Sequence, residues 1–148
     1  VLSGVHRQKT AGVAGSMSRH TLINPVGMPA PSGFSYGSIA AEGRLLHIAG
    51  LTGHAADGTI APGLVEQFGA ACASVGRVIA EAGGAPSDLV AMTIYTSDIA
   101  TYRAHPKELG GVYREVFGKH YPPMALFGID ELFDPRARVE LVCVAVID

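Results

Sequence analysis

The run Val139–Ile147 is apolar at every position except Glu140, so neither face of the strand it forms can be left to water. Covering both faces takes two layers. A chain of 148 residues, 48% of them apolar, can supply one core and helices on one side of a sheet, but no third layer. The second face therefore points to another subunit.

The segment between Leu64 and Ala82 has a different period. Val65, Phe68, Cys72, Val75 and Ile79 recur at three and four residues, as one buried helix face does, until Gly83-Gly84 end it. Leu109, Val112, Tyr113 and Val116 share a face in the same way and predict a shorter helix over 108–117. The remaining apolar runs predict strands. Phe34–Ala41 turns at Ala41-Glu42-Gly43 into Leu45–Ala49 as a hairpin, followed later by Leu89–Thr96, Ala125–Ile129 and Val139–Ile147. Pro29–Gly33 and 50–63 read as loops. The order β-β-α-β-α-β-β in so short a chain predicts an α+β fold, its sheet covered by two helices on one face.

Residues 1–18 show no periodicity and read as a flexible extension or an expression remnant, with Met17 just ahead of the patterned residues. Residues 19–148 then form a single domain. No run of eighteen apolar residues exists and the start lacks the apolar core of a signal peptide, so no membrane association and a cytoplasmic location are expected. A net charge of −2 and the absence of a basic stripe argue against nucleic-acid binding by bulk electrostatics. Cys72 and Cys143 have no ligand spacing and read as buried thiols in a reducing compartment. The six histidines form no HxH or HExxH pattern, so no metal is expected. Ser35, Tyr36 and Ser97 lie in no nucleophile elbow or triad pattern. His47, inside an apolar strand, reads as a satisfied core or interface residue before it reads as catalytic.

Taken in order, Asn24-Pro, Pro31-Ser-Gly-Phe-Ser-Tyr36, Gly43-Arg-Leu-Leu-His-Ile-Ala-Gly50, Glu66-Gln-Phe, Ala82-Gly-Gly-Ala, Tyr95-Thr-Ser-Asp98 and Tyr121-Pro-Pro resemble the RidA/YjgF family, also labelled endoribonuclease L-PSP or reactive intermediate deaminase. The resemblance implies a chorismate-mutase-like α+β fold, a homotrimer whose sheets line a central barrel, and small-molecule clefts between subunits. In active members of that family imines or enamines of amino acids are hydrolysed to 2-oxo acids and ammonia, without metal or cofactor. An arginine grips the substrate carboxylate, a carboxylate on the last strand handles water, and a tyrosine and a glycine region shape the pocket. By the same resemblance the carboxylate matches Glu140, the glycine region matches Gly50, and Tyr36 joins the ligand-binding candidates.

Three positions depart from the pattern. Met124 stands where the arginine is expected, Phe34 where the tyrosine is, and Gly110 where the second helix has an asparagine. With Leu51, Phe34 and Met124 are expected to form an apolar wall suited to an uncharged ligand. Arg138, two residues before Glu140, points to the same face of the strand about 7 Å along it, and it or Arg136 is a candidate substitute cation; the alternative is an ion pair between Arg138 and Glu140. Two functions follow as expectations: a deaminase-type hydrolase acting through Glu140, or a trimeric ligand-binding protein without turnover. Ribonuclease activity has only the family label behind it, since the chain offers neither a basic stripe nor a histidine pair.

Overall fold

The computed structural model describes residues 18–148, so the expected extension lies outside the described residues except for Ser18. Ser18 already belongs to the fold, donating its hydroxyl to the Ser87 carbonyl at 2.7 Å. The elements in order are β1 (Thr21–Ile23), β2 (Gly37–Ile39), β3 (Arg44–Leu51), α1 (Leu64–Glu81), a 3-10 turn (Pro86–Asp88), β4 (Leu89–Thr96), α2 (Ile99–Ala104), α3 (Pro106–Phe117), β5 (Met124–Gly128) and β6 (Val139–Ile147). Four strands make the main sheet in the order β3-β6-β4-β5, with β5 parallel to β4 and the other neighbours antiparallel.

The last strand lies inside that sheet, and its alternation separates two environments. Val139, Leu141, Cys143, Ala145 and Ile147 are buried on the helix side, while Val142 is 38% exposed on the other. Leu45, Phe127 and Val142 belong to this open face, which no helix of the described chain covers. The expectation of one helix-covered face holds.

Helix α1 presents Leu64, Phe68, Cys72, Val75 and Ile79 to the core, and the turn at Gly83 (φ +89°) closes it through bonds from Gly83 and Gly84 amides to the Ala80 and Ile79 carbonyls. Its close approach to α3 depends on small residues. A Cβ at Gly69 would come within 3.2 Å of Val112, and one at Gly76 within 3.1 Å of Val116. Val65, expected on the buried face, is only half-buried, whereas Gln67 is fully buried.

One expected pairing is corrected. The strand read over Phe34–Ala41 shortens to Gly37–Ile39 and pairs with β1 in a separate two-stranded sheet, while β3 takes β6 as its partner. Side chains hold the segment there: Asn24 Oδ1 accepts the Tyr36 amide at 3.0 Å, Ser38 Oγ donates to the Val90 carbonyl at 2.8 Å, and His20 Nδ1 accepts the Ala41 amide at 2.9 Å. A turn signal cannot name the partner strand, and three distant side chains outweigh it. Helix α2 has no periodic signature in the sequence, because six residues are too few to show a period; the Asp98 carboxylate starts it by accepting from Thr101 N and Oγ1.

Both cysteines are free and buried, and burial pushes the Cys143 thiol up to about 12. His20 and His120 are buried as well. His120 donates through Nε2 to the Leu89 carbonyl at 2.7 Å, and burial holds its pKa below the ordinary value. The folded protein therefore keeps His120 neutral at a pH where the unfolded chain, with a histidine pKa of about 6.5, already binds a proton. Stability is thus full above about pH 6.5 and declines as the pH falls below it. Urea midpoints measured from pH 8 to pH 5 should drop on the acid side, with a shallower drop in His120→Gln; identical slopes in the two proteins would refute the assignment.

Candidate functional site

The edge strand β5 carries the first part of the site. Pairing of Met124 with Met92 and of Leu126 with Ile94 puts both side chains on the helix side of the sheet. The loop before β2 and the short helix α2 close over them, leaving a hollow of about 340 Å³. Phe34, Ile94, Met124 and Leu126 give it an apolar lining, and Ser32 and Tyr102 bring the only hydroxyls to it among the described residues.

The loop is fixed where it passes the hollow. Ser35 is buried and its amide donates to the Pro122 carbonyl at 3.3 Å, forming a bridge with Pro123. Phe34 then faces the hollow while Tyr36 packs edge-on against it, ring centres 5.3 Å apart, and spends its hydroxyl on the Pro29 carbonyl at 2.8 Å. Tyr102 stands edge-on to Phe68, and burial raises its phenol to about 12. It stays neutral across the physiological range, and its hydroxyl has no hydrogen-bond partner among the described residues.

Glu140 lies on the opposite side of the sheet. It pairs with Tyr95, which pairs in turn with Phe127, and the rings of those two stack with centres 5.8 Å apart. The register irregularity between Ile48 and Leu51 lays Gly50 against the Glu140 carboxyl, where an added Cβ would collide with Oε1 and come within 2.9 Å of Cδ. No described side chain bonds the Glu140 carboxylate. Gly50→Ala should therefore turn Glu140 aside at a stability cost below about 1 kcal/mol, since only a flexible side chain must move. A displaced Glu140 carboxyl carbon resonance would confirm it; an unchanged one would refute the contact.

Other expected residues fall elsewhere. Arg138 precedes β6, so strand alternation does not carry it to the side of Glu140; its guanidinium pairs with Asp98 and donates to Thr101 Oγ1 at 3.4 Å and the Pro62 carbonyl at 3.3 Å. The expected shared face is thus corrected, and the alternative pairing of Arg138 with Glu140 does not form either. Arg136 is held by Asp134 through two bonds of 3.1 and 2.7 Å. Leu51 pairs with Leu141 and packs on the core, away from Met124. Gly110 lies on α3 beneath the Arg114 side chain, outside the lining of the hollow. His47 is exposed on β3, opposite Val144. The hollow thus joins Phe34 to Met124, Gly50 joins Glu140, and one chain does not bring the two groups together.

Ile94, Tyr102 and Leu126 join the lining of the hollow without a signal in the sequence. The first and last look like ordinary strand residues in sequence, and Tyr102 like a core aromatic; only the closure of α2 over β5 puts them together. Among the described residues, no helix is long and apolar enough to cross a membrane, and no cluster of three or more His, Cys, Asp or Glu could hold a metal.

A mixed four-stranded sheet backed by α1 and α3, with a hollow at its parallel edge, defines a chorismate-mutase-like α+β protein. The family model for endoribonuclease L-PSP matches residues 28–147, and the chain belongs to that family, the one also called RidA/YjgF. Among solved structures, a Rid-family protein of unknown function from Yersinia pestis is 26% identical, with a TM-score of 0.77 over 86% of this chain and 98% of its own. A member of the YjgF/YER057c/UK114 family from Mycobacterium tuberculosis is 25% identical, with a TM-score of 0.59 over 86% and 99%. RidA from an Antarctic Psychrobacter, 19% identical with a TM-score of 0.63 over 80% and 92%, shares the fold. No curated protein matches the chain.

Proposed function

We propose that this is a divergent member of the family that hydrolyses a small imine or enamine of low polarity in a cleft completed by a neighbouring subunit. The observation that carries the reading is the lining of the hollow: methionine and phenylalanine occupy it, and Arg136 and Arg138 are already neutralised by Asp134 and Asp98. A 2-imino acid would lose the two charge-assisted hydrogen bonds that an arginine gives a carboxylate. A neutral C=N compound needs none, and the Tyr102 phenol can donate to its nitrogen.

Glu140 supplies the base. Its carboxylate has no described partner, so it can accept a proton as water adds to the C=N carbon, after which ammonia leaves and a carbonyl compound remains. The reading joins Glu140 of one subunit to the hollow of the next, with three chains packed through the open face that exposes Leu45 at 60% and Phe127 at 51%. The free cysteines are in keeping with a reducing, cytoplasmic setting. Because the arginine is missing, a second reading stands beside the first: the same trimer binds its ligand without turnover.

The deciding experiment measures ammonia release from 2-iminopropanoate, 2-iminobutanoate and an uncharged imine, each formed in situ. Turnover of the uncharged imine that disappears in Glu140→Ala supports the hydrolase. Binding by thermal shift without turnover supports the ligand-binding reading, and a monomer in sedimentation would overturn both.

A further inference from the structure

Beyond β3, away from the hollow, a hydroxyl, an imidazole and a carboxylate stand in series. Thr52 Oγ1 lies 2.5 Å from His54 Nδ1, and His54 Nε2 lies 2.8 Å from Asp134 Oδ2. Arg136 grips the same carboxylate through Nε and Nη2 and also donates its amide to Oδ1 at 2.9 Å. These bonds, the Arg136 side chain foremost, hold Asp134 well below the usual carboxylate range. An ionised Asp134 can only accept, so the neutral imidazole carries its proton on Nε2 and offers the Nδ1 lone pair to Thr52. The Thr52 hydroxyl then donates to Nδ1.

That polarity is the one in which an imidazole takes the proton of a nucleophilic hydroxyl while a carboxylate fixes the tautomer. The support is rigid. Gly53 lies so close to α1 that a Cβ would come within 2.6 Å of Gln67 Cα, which fixes the backbone between Thr52 and His54. The Gly53 amide makes no hydrogen bond among the described residues, and the amide after a nucleophile is the usual donor to a developing oxyanion. His54 and Asp134 are 28% and 23% exposed, so a small reagent reaches the group.

We propose that Thr52 and His54, positioned by Asp134, form a second catalytic site for acyl transfer from activated esters or thioesters of small acids. Thr52 Oγ attacks the acyl carbon as its proton passes to His54 Nδ1, and a tetrahedral intermediate forms. The bond to the leaving alkoxide or thiolate breaks, and that group takes the proton from Nδ1. Water activated by the same nitrogen then cleaves the Thr52 ester, releasing the acid and restoring the hydroxyl. No oxidant, metal or cofactor enters the balance.

The test uses the full chain with p-nitrophenyl acetate, following the nitrophenolate burst and locating the acetyl group by peptide mass spectrometry. One acetyl group on Thr52 is expected, absent in Thr52→Val and kept in Thr52→Ser. His54→Gln should slow the burst by about 10²-fold or more. Asp134→Asn should slow it and also move the midpoint of its pH profile, which loss of a merely structural contact would not do. Thermal melts establish that each variant is folded. No burst, acetylation only of lysines or the terminal amine, or an equal burst in folded His54→Gln would overturn the proposal. None of these results bears on Glu140, which lies outside the relay.

Discussion

Gln67→Leu lowers the stability of the fold by roughly 2–4 kcal/mol, taking about 1 kcal/mol or more for each polar group left unpaired. Gln67 is fully buried and makes three bonds: Nε2 donates to the Ala61 carbonyl at 2.8 Å and the Arg136 carbonyl at 3.0 Å, and Oε1 accepts the Arg138 amide at 2.8 Å. Leucine has nearly the same volume but no polar atoms, so it leaves two carbonyls and an amide stranded where water does not reach. For a chain of this length that corresponds to a melting temperature lower by about 5–15 °C. The loop Asp134–Arg138 also loses its tie to α1, and its backbone amides should exchange faster. A melting temperature within 2 °C of the parent would show that Gln67 is not the tie.

Met124→Arg should reverse the ligand preference of the hollow. Met124 is half-buried on the helix side, and Asp98, the acidic group on the adjoining helix cap, is already paired with Arg138. A new guanidinium there would have no built-in counter-charge and would be free for a ligand carboxylate. Two charge-assisted hydrogen bonds at roughly 1.5–3 kcal/mol each, less the cost of desolvating the ions, give a gain in affinity for 2-oxobutanoate on the order of 10- to 1000-fold. Binding of neutral compounds should weaken. Calorimetric titration of both proteins decides it, and an unchanged affinity for the oxo acid would show that the hollow is not where such ligands sit.

Much of this architecture is legible in periodicity. The three-and-four spacing from Phe68 to Ile79 places α1, and the apolar run at the end of the chain, interrupted only by Glu140, places β6 inside the sheet, with one face needing a cover beyond the chain's own helices. Gln67 defeats that logic, because a polar residue inside a helix face reads as surface until its three partners are known. The candidate site divides in the same way. Met124, Phe34, Gly50 and Glu140 follow from motif order, whereas Arg138 does not, since alternation holds only within a strand and β6 begins at Val139.

The linear order of residues determined the elements, the helix-covered face, the apolar character of the site and the absence of an arginine at Met124, all of which depend on local spacing and side-chain chemistry. The tertiary structure alone decided that β2 pairs with β1, that Met124 and Glu140 face opposite sides of one sheet, and that Thr52, His54 and Asp134 meet. Those outcomes depend on contacts between segments as much as 80 residues apart, and their energies are set by which partners the closed chain brings within hydrogen-bonding distance.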